Sequence, residues 1–538
     1  MTHIENVSKW SVAALALGLA WGLGIAPASP ATAQSGQSGS TTGRTTISTT
    51  TGAVRGSTVV STTNGAVHGS TDGRVRSFQG IPYAAPPVGE RRWKAPEPAA
   101  SWTGVREATA PGTACAQPQG LPVGVPSENE DCLYLNVTTP AGTDGKRPVI
   151  VWIHGGSLMY GTGDMYGPDR LASSGAVVVS MNYRLGIMGF LSDPSLPGAD
   201  GLGIQDQQAA LRWVRANAAS FGGDPRNVTI MGQSGGGYSV CDHLASPLSA
   251  GLFDRAVVQS APCAAGGSRT RAEAQAEAER VVAAVGCEKE TAACMRKTPV
   301  AELLKAYGAF NEPRPVTGTK LLPVSPAEAL RAGRFNRVPV LVGVNHDEER
   351  GRVLGQELVP GATPMKPEEY EPALRERFGD QADAVLKRYP LNAFPSAGEA
   401  LATALTDAAW SVPTLDTARL LSKWTPTRMY EFSERDTPWF TGYPAPSFDQ
   451  RAQHMAELPY LFDLALFADI KAEQAPFRER MLHTWVGFAA SGTTDWPVFR
   501  EEQGEQGYVQ TLSSQTWARA DFTTDHAYDF WKSLKNPS

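Results

Sequence analysis

Val228-Thr229-Ile230-Met231-Gly232-Gln233-Ser234-Gly235-Gly236-Gly237-Tyr238-Ser239-Val240 is the stretch that decides the fold. Its first four residues are β-branched or apolar and predict a short strand, Val228–Met231. They run straight into Gly232-Gln233-Ser234-Gly235-Gly236, a G-x-S-x-G pattern, and a helix-like segment follows. The pattern alone is weak in a chain with 54 glycines, so its flanks carry the argument. A serine on a sharp strand-to-helix turn needs small neighbours, and its Oγ then stands clear of the sheet at a helix N-terminus. Ser234 is the candidate nucleophile.

A second strand supplies what such a serine needs. Val149–Ile153 (VIVWI) reads as buried and ends in His154-Gly155-Gly156-Ser157. Glycine amides there, with the amide of Gly235 after the serine, can face a developing oxyanion without side chains in the way. His154 itself reads as a residue that shapes the loop, not as the base. The order Ser, Asp/Glu, His then asks for an acid and a histidine downstream. Val338–Gly343 is another buried strand and leads to Asp347, Glu348 and Glu349, among which composition does not choose. Of the 8 histidines, His243, His346, His454 and His483 stay open as the base.

The chain has 538 residues, 41% hydrophobic and 19% charged, enough for one large α/β domain or several small ones. Lys+Arg 48 against Asp+Glu 54 gives a net charge of −6, which argues against a nucleic-acid or anionic-membrane partner. At the start, Lys9 precedes an apolar run, Ser11–Ala20, and Ala31-Thr32-Ala33 is a small-residue cleavage site before Gln34. Residues 1–33 are therefore expected to be a signal peptide cut after Ala33, and the protein to be secreted or periplasmic with no stable membrane association. Residues 34–51 are expected to be a flexible Gly/Ser/Thr-rich leader, and 52–538 a single catalytic domain. A short echo, Thr50–Thr58 (TTGAVRGST) and Thr63–Thr71 (TNGAVHGST), suggests two turn-rich strand pairs. Export lets the 6 cysteines pair, with a connectivity that counting does not fix. No CxxC or Cys/His cluster points to a metal.

Further motifs carry a resemblance. Gly80–Pro87 (GIPYAAPP) with Arg92-Trp93, the block Glu130-Asp131-Cys132-Leu133-Tyr134-Leu135-Asn136, Asn182-Tyr183-Arg184, and Phe221-Gly222-Gly223-Asp224-Pro225 follow one another in order. Together with the Ser234 elbow they resemble the type-B carboxylesterase/lipase family, the cholinesterase-like α/β-hydrolases. The resemblance implies a large, mostly parallel central sheet flanked by helices, with long loops forming an active-site gorge. It implies Ser234 as nucleophile, Glu348 as acid, His454 as base, and Gly155, Gly156 and Gly235 as the oxyanion hole. Ser260 matches a serine that supports the acid from behind in relatives, though a hydroxyl satisfied at a strand end fits nearly as well. Cys115–Cys132 and Cys287–Cys294 match the family's disulfides, and Cys241–Cys263 is a possible third.

Three departures bear on chemistry. Gly235 stands where the family usually has Ala, and Glu349 where Gly usually follows the acid. The loop between Cys115 and Cys132 holds no Trp, so capture of a choline cation loses its aromatic platform. The expected activity is hydrolysis of a small-molecule carboxylic ester through an acyl-enzyme, falling on the acid side as the histidine protonates. A bulky natural diester of the fumonisin type is one candidate substrate. No metal and no cofactor is expected, and either a monomer or a homodimer is ordinary. The competing readings are a lipase or an amidase on the same fold, or a non-catalytic adhesion module. The last is disfavoured because every catalytic position is filled.

Overall fold

The computed structural model describes residues 58–120, 123–142, 145–265, 268–308, 313–358, 361–501 and 506–535. The expected signal peptide and leader lie outside these residues, as does all but the last residue of the first echo. The second echo supplies most of a hairpin, β1 (Val59–Thr62) and β2 (Gly65–His68), with Thr62 opposite Gly65. The strands that follow are β3 (Ser70–Thr71), β4 (Val75–Pro82), β5 (Val105–Glu107), β6 (Tyr134–Pro140), β7 (Arg147–Ile153) and β8 (Val177–Met181). Then come β9 (Gly223–Gln233), β10 (Arg255–Gln259), β11 (Val340–Asn345), β12 (Thr427–Phe432) and β13 (Val509–Leu512).

Ten of them form one sheet in the order β13-β12-β11-β10-β9-β7-β8-β6-β4-β3. From β8 to β13 every neighbouring pair is parallel, and the β3–β4–β6–β8 side is antiparallel. The expected large, mostly parallel sheet is thus what the chain builds. Parallel strands are buried on both faces and so read as unbroken apolar runs. On β7, Val149, Val151 and Ile153 enter one core, while Ile150 and Trp152 enter the core on the other face. β11 divides the same way, with Val340, Val342 and Val344 on one side and Leu341 on the other.

Helices cover these faces. Those that matter here are α1 (Leu202–Asn217), α2 (Gly235–Ala245), α3 (Ala397–Thr406), α4 (Val412–Ser422), α5 (Ala475–Ser491), α6 (Phe522–Asp525) and α7 (Tyr528–Lys535). A π-helical turn, Asp407–Ser411, joins α3 to α4. Pro413 follows two residues later and has no N–H to continue an α-helical ladder, which favours a wider turn there. All six cysteines pair, as Cys115–Cys132, Cys241–Cys263 and Cys287–Cys294. The second bridge ties α2 to the loop beyond β10. Among the described residues, no helix is long and apolar enough to cross a membrane.

Candidate active site

The carboxyl ends of the parallel strands gather the residues singled out in the sequence, the usual place for a site in such a sheet. β9 ends at Gln233 and α2 begins at Gly235, so Ser234 is the single residue between strand and helix. Its backbone sits at φ 55°, ψ −123°, a strained conformation for a residue with a Cβ. Glycine is required on either side by close approach. A Cβ on Gly236 would lie 2.0 Å from the Ile153 carbonyl oxygen, and one on Gly232 would lie 2.4 Å from the Gly236 carbonyl. The elbow is therefore pressed against the end of β7, where the His154-Gly155-Gly156-Ser157 loop leaves the sheet. A Cβ on Gly155 would come within 3.3 Å of the Ser234 Cβ, which places this loop beside the serine. Gly235 opens α2, so its N–H has no partner inside the helix.

The acid and the imidazole meet two strands further along, beyond β11. The turn after β11 is stitched to the loop carrying His454 by backbone bonds: Asp347 N–H donates to Ala452 O (3.0 Å) and His454 N–H to Glu348 O (3.0 Å). Asn345 adds a side-chain bond to Gln453 O at 2.7 Å. His454 Nδ1 then lies 2.5 Å from Glu348 Oε2, while Glu348 Oε1 accepts the Asn345 N–H at 2.8 Å. The Glu348 side chain is fully buried, whereas that of His454 is 21% exposed and so opens to solvent. With Nδ1 donating to Glu348, Nε2 is left as the acceptor.

The two flanking carboxylates face elsewhere. Asp347 pairs with Arg350 (3.1 Å) and His346 (3.2 Å). Burial would raise its pKa, but His346, Arg350 and Arg451 outweigh that and hold it at about 2. Glu349 accepts from Trp410 Nε1 (2.5 Å) and pairs with Arg352 (3.2 Å), so the extra carboxylate at this position is met by an indole and a guanidinium. The Trp410 ring in turn packs 4.8 Å from the His454 ring.

The remaining open histidines sit apart. His243 is buried between Ser249 and Gln207, and burial pushes its pKa down to about 3. His483 is on α5 and bonds the Glu479 carbonyl. His346 belongs to the Asp347 pair described above. His154 is stacked 4.4 Å from Tyr183, and burial lowers its pKa to about 4. A neutral ring wedged under the glycine loop fits the loop-shaping role read from the sequence.

Ser260 directly follows β10. Its Oγ is buried without a hydrogen-bond partner, and the Asn345 N–H holds Glu348 instead. Two neighbours of the site went unread in the sequence. Gln233 Nε2 lies 3.2 Å from His454 Nε2, a contact available only because the residue before Ser234 projects from the same elbow. Glu457 is buried and bonded by Asn345 (2.7 Å) and Gln259 (3.1 Å). Its burial raises its pKa to about 7; the Asn345 bond opposes that shift and the Glu348 charge adds to it. Its signal was present in the His454–Tyr460 block, three residues past the histidine, but spacing does not show which way a side chain points. The aromatic trio Trp439, Phe440 and Tyr443 packs largely on itself and on Phe467, 4.7 Å from Phe440.

Known proteins share this architecture. The family described as "Carboxylesterase family" matches residues 45–531. Para-nitrobenzyl esterase of Bacillus subtilis (strain 168) is 35% identical over 468 residues, covering 81% of this chain and 91% of that protein. Fumonisin B1 esterase of Sphingopyxis macrogoltabida is 34% identical over 482 residues, covering 82% and 84%. A solved structure of a PNB esterase superposes with a TM-score of 0.72 at 32% identity, covering 87% of this chain and 99% of that one. By fold, by length of match and by kinship, this chain belongs to the carboxylesterase family and is a hydrolase of carboxylic esters.

Proposed function

We propose that the chain is a secreted serine esterase with Ser234 as nucleophile, His454 as general base and Glu348 as the acid that orients it. The observation that carries this reading is the 2.5 Å contact between His454 Nδ1 and Glu348 Oε2, with His454 Nε2 3.2 Å from the side-chain amide of Gln233, the residue before Ser234. The contact sets the tautomer: Nδ1–H donates to the carboxylate, and the Nε2 lone pair, which the Gln233 amide meets at rest, takes the Ser234 proton as Oγ attacks the ester carbonyl. Gly155, Gly156 and Gly235 supply the amides for the tetrahedral oxyanion. The imidazolium gives its proton to the leaving alcohol, an acyl-serine remains, and water repeats the sequence to release the acid.

The substrate we propose is a bulky natural ester of the fumonisin type. Kinship supports it, since one relative is named a fumonisin B1 esterase. Three disulfides suit an oxidising compartment, and with the apolar run and Ala31-Thr32-Ala33 site they favour export with cleavage after Ala33. Residues 52–538 then form the single catalytic domain.

The decisive experiment is Ser234→Ala in the purified mature chain. Folding is retained and turnover of p-nitrophenyl acetate falls by roughly 10⁴-fold or more. Hydrolysis near the parent rate would remove Ser234 from the mechanism. An ester library varied in acyl length and leaving-group charge then ranks the substrate class. A rate jump confined to long-chain esters above their solubility limit would mark a lipase instead.

A further inference from the structure

On the turn that carries Glu348, a second cluster forms from distant stretches. His346 follows β11, Glu431 lies on β12, and His526 caps α6 near the C-terminus. One ring nitrogen of each histidine and one oxygen of Glu431 all lie within 4.8 Å of one another. Glu431 and His526 are buried, whereas the His346 side chain is 35% exposed, which leaves a way in from solvent.

The surroundings are those of a ligand set. His526 Nδ1 is 2.6 Å from Asp407, and its Nε2 is 2.5 Å from Glu431. Asp407 lies in the π-helical turn and also accepts the Tyr389 hydroxyl at 2.7 Å. His346 is backed in the same manner by Asp347 at 3.2 Å. An imidazole held through one nitrogen by a carboxylate, with the other nitrogen directed at a shared point, is the usual support of a metal-bound histidine.

Charge favours a dication there. Asp407 and Glu431 are two buried carboxylates touching one imidazole. The two histidine ring centroids lie 5.0 Å apart. A divalent ion at the point the three ligand atoms share would sit beside both carboxylates. Two imidazoles and one carboxylate are donors suited to zinc, with a further position for water.

We propose that His346, Glu431 and His526 form a zinc site, with Asp347 and Asp407 orienting the two histidines. The ion ties the α6–α7 end of the chain to the sheet and to the turn behind Glu348. No spacing in the sequence announces it, because its ligands are dispersed along the chain.

The test uses the full mature chain without a histidine tag, stripped with a chelator, dialysed and titrated with Zn²⁺ alone in a calorimeter. We expect one zinc per chain and a rise in Tm. His346→Ala, at a half-exposed position, keeps the metal-free Tm but loses the zinc-induced rise and at least ~100-fold in affinity. Asp407→Asn weakens binding by about 10–100-fold. Absence of stoichiometric binding by the parent, or equal binding by parent and His346→Ala, overturns the site and leaves the cluster a proton-bridged ion network.

Discussion

Gln233 places a neutral amide 3.2 Å from the nitrogen on which the proposed mechanism turns. A carboxylate there would stabilise the imidazolium and raise the His454 pKa. Gln233→Glu should therefore shift the acid limb of the kcat/KM profile to higher pH by on the order of one unit. The profile between pH 5 and 9 reads this, and an unmoved limb would show that the side chain at 233 does not sense the base. The three consecutive carboxylates make a second case at the same scale. Glu348→Gln should lower kcat by about 10³–10⁴-fold, because an amide no longer fixes the tautomer. Asp347→Asn, whose carboxylate faces Arg350 and His346, should stay within about tenfold, and the reverse ranking would put the acid one position earlier. Residue types and the triad's chain order were legible in the sequence. The choice among Asp347, Glu348 and Glu349 rested on the resemblance alone, because adjacent residues on a turn diverge and only the Ala452–His454 loop across from them shows which one meets the imidazole.

Elements were read well where burial imposes a pattern and poorly where a turn does. Val149–Ile153 and Val228–Met231 stand out because both faces of a parallel sheet are covered, so no polar residue interrupts them. The glycine turns were visible as composition, but their purpose was not. Gly235 stands where relatives usually carry Ala, and by residue type alone this reads as a looser elbow. The structure gives a different reason for it: a Cβ there would lie 2.9 Å from Ser157 N and 3.0 Å from Leu158 N. Ser157 and Leu158 are at φ 56° and 60°, so the glycine loop closes unusually near the helix start. Gly235→Ala, a change toward the usual family residue, should therefore push this loop off its position. We expect kcat to fall by about 10–100-fold with KM and Tm little altered, since a small displacement of oxyanion donors is costly. Steady-state kinetics beside a melting curve separates this from misfolding. An Ala variant as active as the parent would show that the loop yields freely.

At the scale of the molecule, the α/β architecture followed from a handful of apolar runs in a fixed order, whereas the third disulfide and the buried ionisable groups depend on contacts between separated segments. Cys241–Cys263 is one such contact, and Asp242 beside it is another. Asp242 lies on α2, the helix that starts after Ser234, and burial raises its carboxyl to about 8, with Arg314 only partly offsetting the shift. An unfolded chain ionises this group near the ordinary aspartate value of 3.8. Between about pH 4 and pH 8 the native state therefore holds a proton that the unfolded state has released. Stability from this group is complete below that window and drains away as pH rises through it. Asn keeps the shape of the protonated acid and does not titrate. Asp242→Asn should thus change stability little at pH 4.5 and add roughly 4 kcal/mol by pH 8.5, a gain that grows with pH. Urea midpoints of parent and variant across that range measure it. A gain of equal size at both ends would mean that the carboxyl is ionised in the folded protein throughout, with Arg314 and the α2 surroundings solvating its charge.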